Sequence, residues 1–169
     1  GLDLEVLATD LFFILTAFLL ALPIGWERGR GPHSVGFRTL PIVSMASCGF
    51  ALIIGATAPG DNEAQARVLQ GIITGIGFIG GGAIVKQGRD VKGLVTAASI
   101  WNAGAIGVAV GLGRLNIAIL LSLINLGGLW VLAGLDVGGD EPQDREKEGA
   151  APPQGGPSTG SLRTRIMGT

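Results

Sequence analysis

The side chains able to do chemistry are few, and most stand beside apolar stretches. Asp3, Glu5, Asp10, Asp61 and Glu63 are the kind of oxygen donors that hold Mg²⁺ or Ca²⁺. They are spread over separate parts of the chain and read as a loose acidic surface. His33 is the one histidine and Cys48 the one cysteine, so an internal disulfide is excluded and a zinc site is disfavoured. His33 lies in a polar link and reads as solvated; Cys48 lies in an apolar run and reads as a small packing residue. Glu27, Arg28, Arg30 and Arg38 form a charged cluster, which either anchors the chain at a membrane surface or recognises a partner or a lipid headgroup. Asn102 and Asn125 sit within apolar runs, where asparagine usually bonds a neighbouring helix. No nucleophile–base pair, metal cluster or nucleotide loop stands out. The chain therefore reads as a non-enzyme, with no catalytic residue, no bound metal, no cofactor and no nucleic-acid partner.

The residues 70–85, QGIITGIGFIGGGAIV, hold six glycines. A dinucleotide loop would need a preceding strand and a following acidic residue, and neither is present. At 100° per residue, Gly71, Gly75 and Gly82 share one side with Phe78, and Gln70, Thr74, Gly77 and Gly81 form a second stripe about 100° away. Gly71/Gly75 and Gly77/Gly81 both have the small-xxx-small spacing of close helix pairs. Two such faces predict a central helix with close neighbours on two sides. The alternative is a helix broken at Gly80-Gly81-Gly82 that lines a path through the membrane.

Those residues need elements to carry them, and composition says which. The 169 residues are 47% hydrophobic and 15% charged, with 30 glycines and no tyrosine, and the mean hydropathy is +0.52. Runs at about 6–26, 39–58, 68–85, 93–113 and 115–135 each approach the roughly 20 residues that cross a hydrocarbon core. In lipid such runs must be helical. The fold class is thus an all-α integral membrane protein of about five transmembrane helices. Only Arg114 separates the last two runs, which predicts an antiparallel hairpin. Arg28, Arg30, Arg38, Lys86, Arg89 and Lys92 fall in the first and third links, against Arg67 and Arg114 in the second and fourth. The positive-inside rule then places the N-terminus outside and the C-terminus in the cytoplasm. Asp3 and Glu5 stand where a cleavable signal carries positive charge. A domain boundary is expected near 135: residues 1–135 form the transmembrane domain, and 136–169, rich in Gly, Pro and mixed charge, read as a disordered cytoplasmic tail.

Four blocks, PIGWERGR (23–30), VGFRTLPIV (35–43), RVLQGIITGIGFIGGGAIV (67–85) and GLVTAASIWNAGAIGVAVGLG (93–113), together resemble the MgtC/SapB family of bacterial inner-membrane proteins. The resemblance runs from about Leu7 to Leu135. It implies a multi-pass plasma-membrane protein associated with magnesium limitation, which regulates or assists another membrane complex; the proton-translocating ATP synthase is the partner implied. Motif positions matched include Gly25, Glu27, Arg28, Gly36, Arg38, Thr39, Gly75, Gly77, Phe78, Gly80, Gly82, Gly93, Thr96, Ala97, Ala98 and Trp101. Of these, Glu27, Arg28, Arg38, Gly75, Gly77, Phe78, Gly80, Gly82, Thr96 and Trp101 are the expected partner-contact positions. Gly29-Arg30 replaces the family's second Glu-Arg, and Gly80-Gly81-Gly82 its usual Gly-Ala-Gly. The polar tail is too short for the soluble regulatory domain of longer members. The competing expectation is a Mg²⁺ transporter or channel with its path between the third and fourth helices, and self-association is left open.

Overall fold

The computed structural model describes residues 3–29, 36–87 and 90–135. Five helices form: α1 Leu4–Gly29, α2 Gly36–Thr57, α3 Asn62–Gly82, α4 Leu94–Gly111 and α5 Leu115–Leu135. Between α3 and α4 lies a short antiparallel ribbon, β1 Val85–Gln87 paired with β2 Asp90–Lys92. The tail expected beyond 135 lies outside the described residues.

Local chemistry sets the helix ends. Asp3 accepts a hydrogen bond from the Glu5 backbone at 3.0 Å, which caps the start of α1. Asp61 caps α3 by accepting from the Glu63 and Ala64 amides at 3.1 and 2.9 Å, and Glu63 adds negative charge to the first turn, where the helix dipole favours it. α4 ends in a Schellman turn: Arg114 N–H donates to the Ala109 carbonyl and Gly113 N–H to that of Val110, with Gly113 at φ +71°. That left-handed step is natural for glycine and turns the chain straight into α5, giving the expected hairpin.

Small residues recur in the interior beside large ones such as Ile24, Leu40, Ile100 and Ile106, and the outside carries many large apolar side chains. Ala17, Ala21, Ser44, Ser47, Ala103, Ala109 and Ala118 are buried, whereas Leu11, Phe12, Ile53, Phe78, Leu123, Ile124 and Trp130 are exposed. Water would penalise so continuous an apolar exterior; lipid does not, and small interior residues let helices approach closely. α1, the Phe37–Thr57 stretch of α2, and α4 are each long and apolar enough to cross a membrane, and α5 carries the apolar stretch Leu115–Val131. α3 matches them in length, but Arg67, Gln70 and its glycines thin its apolar content.

α4 is the hub, touching all four other helices. A Cβ on Gly107 would overlap the Ser44 carbonyl oxygen; on Gly111 it would come within 2.6 Å of the Ala51 Cβ and 2.7 Å of the Cys48 carbonyl. Numbers rise together along that contact, so α2 and α4 run parallel. Gly104 receives the tip of Ile76, and Gly80 faces Ala97, so α3 runs antiparallel to α4. Ser44 and Ser122 donate to the Ala17 and Leu20 carbonyls at 2.9 and 2.7 Å, tying α2 and α5 to α1. The prediction of a central third helix is therefore corrected. α4 offers the glycine holes and α3 supplies a knob, Ile76. Glycines permit close approach, but they bury little where no neighbouring helix is set against them.

Candidate functional site

One end of the bundle gathers the charged residues singled out above. Glu27 and Arg28 complete α1, and Arg38 stands in the first turn of α2. Trp26 and Phe37 meet edge to face, with ring centroids 5.6 Å apart, and join the exit of α1 to the entry of α2. Gly29 lies tight against this joint: a Cβ there would come within 2.9 Å of the Phe37 Cβ. Glu27 and Arg28 are half-buried and Arg38 is exposed. The Nε of Arg28 is buried with no hydrogen-bond partner among the described residues. A buried donor without an acceptor costs about 1–3 kcal/mol, so an acceptor from outside the described chain would be favoured there. The ribbon brings exposed Lys86 and Lys92 to the same end. Arg30 and His33 lie outside the described residues.

The α3–α4 junction gathers a second group. A Cβ on Gly80 would sit 3.4 Å from the Ala97 carbonyl, next to half-buried Thr96. Gly93 has φ +90°, and a Cβ there would overlap the Ala83 carbonyl oxygen, so only glycine lets the ribbon return this closely to α3. The other predicted glycines are not brought to any neighbour. Around Gly75, Gly77 and Gly82, as around Gly71 and Gly81, nothing lies within 4 Å of where a Cβ would sit, and Phe78 is 85% exposed.

A groove runs along each side of α3. The α2–α3 groove, about 530 Å³, is lined by Ile42, Phe50, Gly71, Gly75 and Ile79 among others. The groove between α3, α4 and α5, about 290 Å³, has apolar walls including Ile73, Ile76 and Trp101, with Arg114 as its one charged residue. A third recess, between α4 and α5, carries Ser99, Asn102 and Asn125; Asn102 donates to the Leu121 carbonyl at 3.5 Å, the long limit for such a bond. That contact crosses helices, as expected for a membrane asparagine.

A family model described as MgtC family matches residues 14–137. The chain belongs to the MgtC family. It is 37% identical over 113 residues to Protein MgtC of Salmonella typhimurium, covering 67% of this chain and 48% of that one. To Protein MgtC of Brucella abortus it is 39% identical over 100 residues, covering 59% and 41%. To Protein SrpB of Synechococcus elongatus it is 35% identical over 133 residues, covering 69% and 72%. The chain thus spans about half the length of the MgtC proteins it matches. No solved structure matches it. The MgtC-family region contains the charged end, all of α2, α3 and α4, and both outward faces of α3.

Some structurally decisive residues of this MgtC-family fold are visible in the sequence and others are not. Gly107 and Gly111 carry the same small-xxx-small spacing as the pairs in α3, and here the spacing does mark a close helix contact. Ser44 and Ser122 give no signal beyond a hydroxyl in an apolar run. The ribbon did have one: V-K-Q and D-V-K flank a two-residue Gly-Arg step, a hairpin pattern.

Proposed function

We propose that this chain is a non-catalytic membrane protein of magnesium homeostasis that regulates or assists another membrane complex. It docks onto that complex through the stripe Gln70, Thr74, Gly77 and Gly81 of α3. The name and family of its relatives support the physiological setting. The observation that carries the docking is the contrast between two glycine sets: those of α4 are filled by neighbours, and Gly77 and Gly81 have nothing within 4 Å. A bare stripe with a polar Gln70 and Thr74 in an apolar setting fits a second transmembrane helix, which gains close packing and hydrogen bonds there. The proton-translocating ATP synthase is the first complex to test. We place the basic end in the cytoplasm, with the Leu4 end of α1 outside and the C-terminal end of α5 inside. The apolar walls between α3 and α4, closed by Ile76 against Gly104, give a hydrated cation little to coordinate.

Two measurements decide between this and a Mg²⁺ pathway. Protein purified alone and placed in liposomes is expected to give no Mg²⁺ flux above empty vesicles, and robust flux would overturn the proposal. Pull-down from native membranes is expected to recover a membrane complex with wild type and to lose it with Gly77→Leu or Gly81→Leu, while the variants still insert. Unchanged recovery would rule out this face.

A further inference from the structure

The α2–α3 groove lies on a different side of α3 from the proposed docking stripe, and its shape and charge define another occupant. Its walls are apolar, and the glycines at 71 and 75 form a floor on which no side chain stands. Its rim faces outward: Ile42, Phe50 and Ile79 are 52%, 55% and 44% exposed, so in a membrane the groove opens onto lipid. From Ile42 to Phe50 it runs about 12 Å along α2, at 1.5 Å per residue. An apolar slot that opens onto lipid along its length suits a single hydrocarbon chain.

The charge stands at one end only. Arg38 precedes Ile42 by four residues and so lies on the same side of α2, one turn beyond the last α2 residue of the lining. It is exposed, and no carboxylate pairs with it among the described residues. Ile79, the last groove residue of α3, is at the same level, because Ile76 meets Gly104 at about the height of Pro41. A cation at the polar end of a hydrocarbon slot is complementary to a phospholipid of net negative charge. We propose that the α2–α3 groove binds one acyl chain of an anionic phospholipid, with its headgroup phosphate held by Arg38. Arginine suits the task because its planar fork meets phosphate oxygens in pairs.

The test is native mass spectrometry of the full chain released from bilayers of equal phosphatidylglycerol and phosphatidylcholine with matched acyl chains. Wild type is expected to retain phosphatidylglycerol about fivefold over phosphatidylcholine, the preference of one basic residue at an anionic surface. Arg38→Gln is expected to bring that ratio near one, and Arg38→Lys to keep most of it. Gly75→Leu, whose Cβ would have no atom within 4 Å, is expected to lower retention of both lipids by filling the floor. The proposal is overturned by a wild-type ratio near one, or by an Arg38→Gln ratio equal to wild type. It is equally overturned if Gly75→Leu leaves both lipids bound, or if Gly71→Cys cross-links two copies through the groove.

Discussion

Gly107 and Gly77 are chemically identical and both sit in the interior of a helix, yet the fold treats them oppositely. At Gly107 an added methyl would meet the Ser44 carbonyl oxygen, and the Ser47 Cβ at 2.9 Å; at Gly77 it would meet nothing. Overpacking a tight contact typically costs about 1–3 kcal/mol. Replacing an open helical glycine by alanine removes up to about 1 kcal/mol of propensity penalty. Gly107→Ala is therefore expected to lower the detergent unfolding midpoint, and Gly77→Ala to leave it unchanged or raise it. Equal losses at both positions would mean that α3 is packed after all. The sequence contains both glycines and both spacings, so angular periodicity finds the small faces of α3 and α4 alike. What it omits is the partner: whether a glycine is a contact depends on what another helix brings to it, the Ser44 carbonyl at Gly107 or the Ile76 side chain at Gly104.

Helices were the most legible elements, because lipid leaves an apolar run of this length one way to satisfy its backbone. The α4–α5 hairpin could be read from Arg114 alone. The β1–β2 ribbon is absent from the five-helix expectation because strands of three residues are too short for alternation to stand out among the charges of that link. Yet this ribbon sets how α3 meets α4. Gly93, in a left-handed conformation, brings β2 back onto the carbonyl of Ala83, and Gly80 then reaches Ala97. Gly93→Ala adds both a backbone conformation that costs an L-residue roughly 1–2 kcal/mol and a steric overlap. Its expected effect is local. Hydrogen exchange in Val85–Gln87 and Asp90–Lys92 should accelerate while helix content by circular dichroism stays within error. A variant that keeps wild-type exchange in the ribbon would show that the turn tolerates a side chain and that α3 is held by other contacts.

Taken whole, the described bundle is electrically polar. Parallel α2 and α4, with antiparallel α3 between the ribbon and the Asp61 cap, put Arg28, Arg38, Lys86 and Lys92 at one end with Glu27 and Asp90. Asp3, Glu5, Asp61 and Glu63 lie at the other with Arg67 and Arg114. The charge count by link was legible in the sequence; that the links of like charge lie at one end follows only once the helices alternate. If translocation obeys the positive-inside rule, the Asp61 end faces out. Cysteine accessibility tests this directly, since Cys48 is buried and can be replaced by alanine to give a silent background. In that background Asp61→Cys is expected to react with a membrane-impermeant maleimide in intact spheroplasts, whereas Lys86→Cys should react only after the membrane is opened. The opposite pattern would invert the molecule. Arg38 and its groove would then open to the outer leaflet, while the docking stripe on α3 would stay at the same depth. The orientation can therefore fail without taking the packing of the bundle with it.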